Sequence, residues 1–293
     1  MDVFSAIVEQ SRAYLREAAA QAARELGVFE APRAVRDPAL AEASLETAAA
    51  LARALGLPGA HRLRALFGVL RLEGLDRAPP PRAQPPQGWG LLAQVIRRDR
   101  PLPEPVEALA AFHEHLRTAG AEAARELAPL LGDGPLLDLG GGTGAYTAAF
   151  LEAQPRATAT LVDRAEVLAL AQLPARAAKL ECNLLSGRFP KEQGAALLAN
   201  VLHLFGPEDC ARIVARARAA LRPGGALVVK DLDARHPSGI YFALNMALYT
   251  EAGDVHSSEA IERWLGPCRH LRLQAAPDAV VLIAQTEKRV SEP

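Results

Sequence analysis

At 293 residues, half of them hydrophobic, the chain is long enough for a sizeable core and two domains. A formal net charge of −1 gives no electrostatic case for a nucleic-acid or membrane partner. Cys182, Cys210 and Cys268 are odd in number and scattered, which argues for a reducing compartment and against a disulfide framework. No Cys or His cluster has metal-ligand spacing, so no metal is expected. No apolar run reaches the ~18 residues of a membrane span, and no signal-peptide core opens the chain, so a soluble cytoplasmic protein is expected.

Residues 4–26 read as an amphipathic helix, with Phe4, Ile7, Val8, Tyr14, Leu15, Ala19, Ala22 and Leu26 at helical spacing and Gly27 as its C-cap. Ser44 caps a second helix running to Leu55, and Gly56-Leu57-Pro58-Gly59 is a turn. A third helix runs from His61 to about Leu72 with Leu63, Leu66, Phe67 and Leu70 inward. This order has a helix-turn-helix shape, and the Pro- and Arg-rich stretch 75–89 then reads as a wing or loose hairpin. Arg62, Arg64 and Arg71 are what a DNA-reading helix would offer. Glu73 and Asp76 follow them, however, and the region is not strongly basic, so a helical packing domain is the preferred reading.

Leu102-Pro103-Glu104-Pro105 is a linker, and an Ala/Glu/Leu-rich helix follows from Val106 to Leu131. The divisions are therefore 1–105, a linker helix 106–131, and 132–293. In the last of these, strands at 135–139, 157–162, 178–182, 195–201 and 225–230 alternate with helices at 144–153, 164–172 and 208–221. After a helix at 238–250, His270–Gln274 and Val280–Ala284 form an antiparallel hairpin at one edge. That alternation predicts a doubly wound, mostly parallel α/β sheet.

The functional signal is Leu136-Leu137-Asp138-Leu139-Gly140-Gly141-Gly142-Thr143-Gly144. A buried strand runs into a glycine turn and a helix N-terminus, where the backbone turns sharply and a ligand approaches without meeting a Cβ. The spacing D-x-G-x-G-x-G differs from the G-x-G-x-x-G that receives a pyrophosphate. Asp138 would repel a phosphate and attract an ammonium. A second β-branched run ends in Asp163, 19 residues after Gly144, suited to a ribose diol. S-adenosylmethionine (SAM) has an ammonium, a carboxylate, a ribose and no phosphate, and it is the cofactor this loop predicts. A nicotinamide dinucleotide is the alternative.

On these stretches, with Asn200-Val201-Leu202-His203-Leu204-Phe205, Leu221-Arg222-Pro223-Gly224-Gly225, Asn245-Met246 and Gly253, the chain resembles the class I SAM-dependent small-molecule O-methyltransferases. That family includes plant caffeate and flavonoid enzymes and bacterial polyketide-tailoring enzymes. The resemblance implies a seven-stranded Rossmann-like methyltransferase sheet, preceded by a mainly helical, winged-helix-like dimerisation domain. It implies a homodimer that binds SAM, releases S-adenosylhomocysteine (SAH), and methylates a small-molecule acceptor. By position it implies cofactor contacts from Asp138, Gly140, Gly142, Gly144, Asp163, Asn183 and Asn200. Asn183 stands where the family usually has Asp, and its carbonyl would accept from the adenine amine. The resemblance implies His203 as the catalytic base. Of two family carboxylates that orient the base, one position matches Asp231 and the other Val255. An acceptor pocket is expected from Phe112, Tyr241, Asn245, Met246, Tyr249 and His256. Tyr241, Asn245 and Tyr249 share a helix face at i, i+4, i+8. Lys230 reads as a solvated strand-end lysine.

The chemistry fits. A phenol has a pKa of ~10, so ionising it at neutral pH costs about 4 kcal/mol. A histidine within hydrogen-bond reach removes that cost in the transition state. Methylation at nitrogen or carbon, and a SAM-sensing or DNA-binding regulator, are the alternatives carried forward.

Overall fold

The computed structural model describes residues 3–77, 88–103, 114, 116–118 and 120–287. Helix α1 (Val3–Glu25) ends where Gly27 takes φ +73° and the Val28 N–H donates to Ala23 O at 2.9 Å. Helix α2 (Arg33–Glu42) lies in a stretch for which no element was expected. Pro32 sits just before the first turn, where no N–H is needed, and Ala43 closes the helix in the left-handed region at φ 51°. Helix α3 (Leu45–Ala54) starts at its expected cap, with the Thr47 N–H donating to Ser44 Oγ at 3.2 Å. Helix α4 (His61–Leu72) buries Leu63, Leu66, Phe67 and Leu70 as the periodicity predicts. After a 3₁₀ turn at Trp89–Leu91, a short α5 (Leu92–Arg98) adds Leu92, Val95 and Ile96 to the same core.

Most of the segment expected as a wing, and the first part of the linker helix, lie outside the described residues. The linker is not one uniform helix to Leu131. Gly120 caps a new start, α6 (Ala121–Leu127), which tightens into a 3₁₀ turn at Ala128–Leu131.

The α/β part holds a seven-stranded sheet in the order β3-β2-β1-β4-β5-β7-β6. Its strands are β1 (Leu136–Leu139), β2 (Ala159–Asp163), β3 (Ala177–Glu181), β4 (Gln193–Ala199), β5 (Leu221–Leu232), β6 (Arg269–Leu271) and β7 (Ala279–Gln285). The first five are parallel, and β7 runs antiparallel between β5 and β6. The connecting helices are α7 (Ala145–Ala153), α8 (Ala165–Leu168), α9 (Pro207–Arg218), α10 (Pro237–Tyr249) and α11 (Ser258–Leu265).

Two apolar layers cover the sheet. On one face Leu136, Leu197 and Val228 pack with Phe150 of α7 and Leu127 of α6. On the other, Leu137, Leu198 and Val229 pack with Ile213 and Val214 of α9 and Ile261 of α11. A third core joins α1–α5 to α10, so Tyr241, Leu244, Met246 and Leu248 complete the helical unit. The division between helical and α/β parts is therefore not a single cut in sequence, because α10 comes from the second half and packs into the first.

Candidate active site

The glycine turn leaves β1 with Gly140, Gly142 and Gly144 at φ +69°, +62° and +83°, a region costly for other residues. A Cβ on Gly140 would stand 2.8 Å from Val201 Cγ2, so the turn lies directly against the segment that leads to His203. Asp163, at the end of β2, accepts from the Gly142 N–H and the Arg164 N–H, both at 2.8 Å. This carboxylate thus braces the turn.

Asp138 is fully buried. Its Oδ2 accepts from Thr147 Oγ1 at 2.7 Å, and its Oδ1 has no hydrogen-bond partner among the described residues. Burial lifts its carboxyl to about 6, with the Asp163 charge adding to the rise and the Thr147 bond opposing it. An ammonium presented to Oδ1 would satisfy the orphaned oxygen and favour ionisation. Thr147, one face of α7 away from the turn, carried no signal in the sequence.

Asn183 lines a cleft of about 350 Å³ with Arg164, Ala165, Glu166, Glu181 and Cys182. Its Oδ1 accepts from the Leu185 and Ser186 N–H groups at 2.8 and 3.2 Å. That corrects the expected role. The carbonyl is spent on a local turn, and what Asn183 has to offer a ligand is its amide N–H pair. Asn200 follows β4 at φ 58°. Its N–H donates to Lys230 O at 2.7 Å and its Oδ1 accepts from Lys230 Nζ at 2.8 Å. Lys230 is wholly buried, not the solvated residue expected, because β5 is an interior strand covered on both faces.

His203 sits on a single 3₁₀ turn, Leu202–Leu204, beyond β4, and it is 3% exposed. Its Nδ1 lies 2.7 Å from Asp231 Oδ1, and its backbone N–H donates to Asp231 Oδ2 at 3.2 Å. Leu232 N–H also donates to Oδ1, at 2.8 Å. Burial pushes the Asp231 carboxyl up, but the charge and hydrogen bond of His203 outweigh it and hold the group below the ordinary carboxylate range. The bond favours the tautomer with its proton on Nδ1 and its lone pair on Nε2. Phe242 of α10 meets the imidazole edge-on, with centroids 5.0 Å apart.

The turn is braced from several sides. Cys210 Sγ–H points at Leu202 O (3.2 Å), and His256 Nε2–H donates to Phe205 O at 2.9 Å. A Cβ on Gly253 would fall 2.5 Å from His203 O, so that loop lies flat on the turn. His256, which also packs edge-on against Trp264, therefore braces the turn. Val255 is buried in the helical core, so the position of the family's other helper carries no carboxylate.

The remaining pocket candidates divide. Tyr241 is 1% exposed and its hydroxyl donates to Glu73, which also pairs with Arg12 and Arg16 at 3.0 and 3.2 Å; this ties α10 to the helical unit. Met246 is buried in that core and Tyr249 packs against it. Asn245 is half-buried, one helical turn from Phe242. Phe112 lies outside the described residues.

The basic residues of the first turn of α4 are turned inward, whereas Arg71 near its end is exposed. Arg62 is 1% exposed and donates to the carbonyls of Ala247, Thr250 and Glu251 and to Asp99. Arg64 forks onto Asp254, and His61 Nε2 lies 3.0 Å from Gly253 O. These contacts grip the loop that lies on His203, and they remove the charges a DNA face needs. Glu262, Cys268 and His270 bring three donor atoms within 4.8 Å of one another at the surface, where His270 and Glu262 are also within ion-pair range at 3.4 Å. No helix among the described residues is long and apolar enough to cross a membrane.

Residues 94–265 match the O-methyltransferase domain family, more than half of the chain. The chain belongs to that family. A mitomycin biosynthesis 6-O-methyltransferase from Streptomyces lavendulae is 32% identical over 132 residues, 42% of this chain and 38% of that protein. The chain's matches span less than half the length of each of the curated relatives compared. Among solved structures, an O-methyltransferase family 2 protein from Planctomyces limnophilus in complex with apigenin has a TM-score of 0.67 at 22% identity, covering 98% of this chain and 96% of that one. Human N-acetylserotonin methyltransferase in complex with SAM has a TM-score of 0.59 at 20% identity, covering 97% and 98%. These likenesses show the α/β methyltransferase fold.

Proposed function

We propose that this O-methyltransferase family member moves the methyl group of SAM to a hydroxyl of a small aromatic or polyketide-like secondary metabolite, with His203 as general base. The observation that carries the reading is the His203–Asp231 pair at 2.7 Å, buried at the carboxyl ends of β4 and β5 beside the glycine turn. Bound SAM supplies an electrophilic methyl on a sulfonium. Asp138 would receive the cofactor's ammonium on its orphaned Oδ1, Asp163 its ribose, and Asn183 its adenine through the amide N–H pair. The backbone of Gly140–Gly144 leaves room for close approach.

Asp231 holds the imidazole tautomer, so His203 Nε2 takes the hydroxyl proton as the acceptor oxygen becomes a nucleophile. Asp231 then stabilises the resulting imidazolium. Phe242 limits the rotation of the ring and keeps water from it. Asn245, on the same side of α10, is the polar group suited to orient an acceptor. An aromatic acceptor is supported by the apigenin complex of the Planctomyces protein and by the mitomycin-pathway role of the Streptomyces relative.

The same reading takes 1–105 as a winged-helix-like dimerisation domain, 106–131 as a linker, and 132–293 as the SAM-binding domain of a cytoplasmic homodimer. The test is to incubate a metabolite extract of the source organism with deuteromethyl-SAM and either wild type or His203→Ala. A labelled product that forms only with wild type is expected. Equal labelling by both proteins would remove His203 from the role of base and favour methylation at nitrogen.

A further inference from the structure

Glu262, Cys268 and His270 take no part in the chemistry above, yet a carboxylate oxygen, a sulfur and a ring nitrogen from them all fall within 4.8 Å of one another. Spacing along the chain predicted no metal, because only Cys268 and His270 are near neighbours and the third donor comes from a helix. The local structure explains their meeting. Helix α11 buries Ile261 and Leu265 against the sheet and leaves Glu262 exposed near its end. Gly266, at φ +68°, closes that helix with its N–H donating to Glu262 O at 2.8 Å, and the chain turns back into β6. Cys268 and His270 flank Arg269, the first residue of β6, so strand alternation puts them on one face. The register says which. His270 pairs with Leu282 and Leu282 with Val229, both in the apolar layer under α11, and Cys268 packs against the same layer.

The three side chains have no other claim on them. Their one hydrogen-bond or ion-pair contact among the described residues is Glu262 Oε2 to His270 Nε2 at 3.4 Å, longer than a good hydrogen bond. Tetrahedral zinc, with nitrogen and oxygen ligands at about 2.0–2.2 Å, holds those two atoms about 3.4 Å apart, and a sulfur at about 2.3 Å stands about 3.6 Å from each. The oxygen and nitrogen already have this separation, and the sulfur needs to close by about 1 Å at most, which a side-chain rotation supplies. Thiolate and imidazole suit zinc and not magnesium or calcium, and the two anionic ligands neutralise the ion. A cysteine–histidine pair is also the makings of a nucleophile. Here, however, burial and the Glu262 charge push the Cys268 thiol up, the reverse of what a nucleophile needs.

We propose that Glu262, Cys268 and His270 bind one zinc ion, with solvent in the fourth position. The thiol proton leaves to solvent as the sulfur binds. The ion staples the end of α11 to β6, an edge strand of only three residues. It is structural: β6 stands three strands from β4, about 14 Å across the sheet, and so apart from the turn that carries His203. The assignment does not depend on the methyl-transfer reading.

The experiment titrates the metal-free full chain with Co²⁺ and then Zn²⁺, comparing wild type with Cys268→Ser, Glu262→Gln and His270→Gln, and with Cys182→Ser as control. One equivalent of Co²⁺ should give wild type a thiolate-to-cobalt charge-transfer band and the strong visible bands of tetrahedral coordination, and one equivalent of Zn²⁺ should erase both. Cys268→Ser should abolish the charge-transfer band, and Glu262→Gln and His270→Gln should each weaken Zn²⁺ binding by at least about 10-fold. Cys182→Ser should change neither. Zn²⁺ should raise the Tm of wild type and not that of Cys268→Ser. Glu262 and His270 are exposed, so their variants test the site even if Cys268→Ser does not fold. A wild-type spectrum without a thiolate band, a band that survives Cys268→Ser or vanishes in Cys182→Ser, or Zn²⁺ affinity unchanged in both Glu262→Gln and His270→Gln would overturn the assignment.

Discussion

Replacing Arg62 by methionine should destabilise the protein, although the residue lies on what reads in sequence as a DNA-recognition helix. The magnitude follows from its partners. Ala247 is buried, so its carbonyl has no water to turn to and the loss costs about 1–3 kcal/mol. Thr250 is half-buried and its carbonyl, 3.0 Å away, adds about 1 kcal/mol at most. Glu251 and Asp99 are exposed, with the Asp99 side chain at 45%, and they rehydrate at little cost. The total is about 1–4 kcal/mol, or a fall in Tm of roughly 2–7 °C for a chain of this size. Arg71→Met is the internal control, because Arg71 is exposed and its contact with Glu42 O is a surface one; its effect should stay within about 0.5 kcal/mol. Scanning calorimetry of the two variants decides. If they melt together, Arg62 is not the internal tie described, and the basic helix is again free to read DNA, which a salt-dependent gel shift would reveal.

Asp231→Asn should lower kcat by about 10²- to 10⁴-fold with SAH affinity unchanged, because the amide no longer enforces the tautomer; a loss confined to KM would contradict this. As the native carboxyl is held below its ordinary value, its stabilising contribution is present at neutral pH and disappears as pH falls through the native value, so the variant's stability deficit should shrink in acid. Asp138 behaves in the opposite sense. Its carboxyl sits at about 6 against an ordinary 3.8, so the contribution of this group to ligand-free stability is greatest below pH ~4 and declines as pH rises through 6. Asp138→Asn should therefore stabilise the ligand-free protein at pH 7 by about 2–3 kcal/mol, change little at pH 4, and lose SAH binding; unaltered SAH affinity would remove Asp138 from the cofactor site. Gly253→Ala sets a methyl 2.5 Å from His203 O and should cost about 1–3 kcal/mol in stability and reduce turnover while SAH binding persists.

Much of this architecture was readable from local pattern. The alternation of β-branched runs with helical stretches located all seven strands to within a few residues, because each is decided by its own periodicity and bounding turns. The glycine turn with Asp138 and Asp163 beside it was equally legible, since glycines at alternate positions after a buried strand mark a left-handed backbone. Helix α2 had no counterpart in the sequence reading; Pro32 precedes its first turn, and Pro38 stands inside it.

What tertiary structure alone decided is which face each polar residue turns to, and with whom. Ser44 caps a helix on evidence from three neighbours, but Arg62 is a clamp only because α10 ends beneath it. Lys230 looks like any strand-end lysine until β7 pairs on one side and β4 on the other and seals it in. Asn183 keeps its carbonyl for its own turn, and Tyr241 and His256 have partners in distant segments. These partners lie up to nearly two hundred residues away along the chain. A linear pattern records periodicity and composition; it does not record the long-range pairing that determines whether a charge meets water, a carbonyl or a ligand.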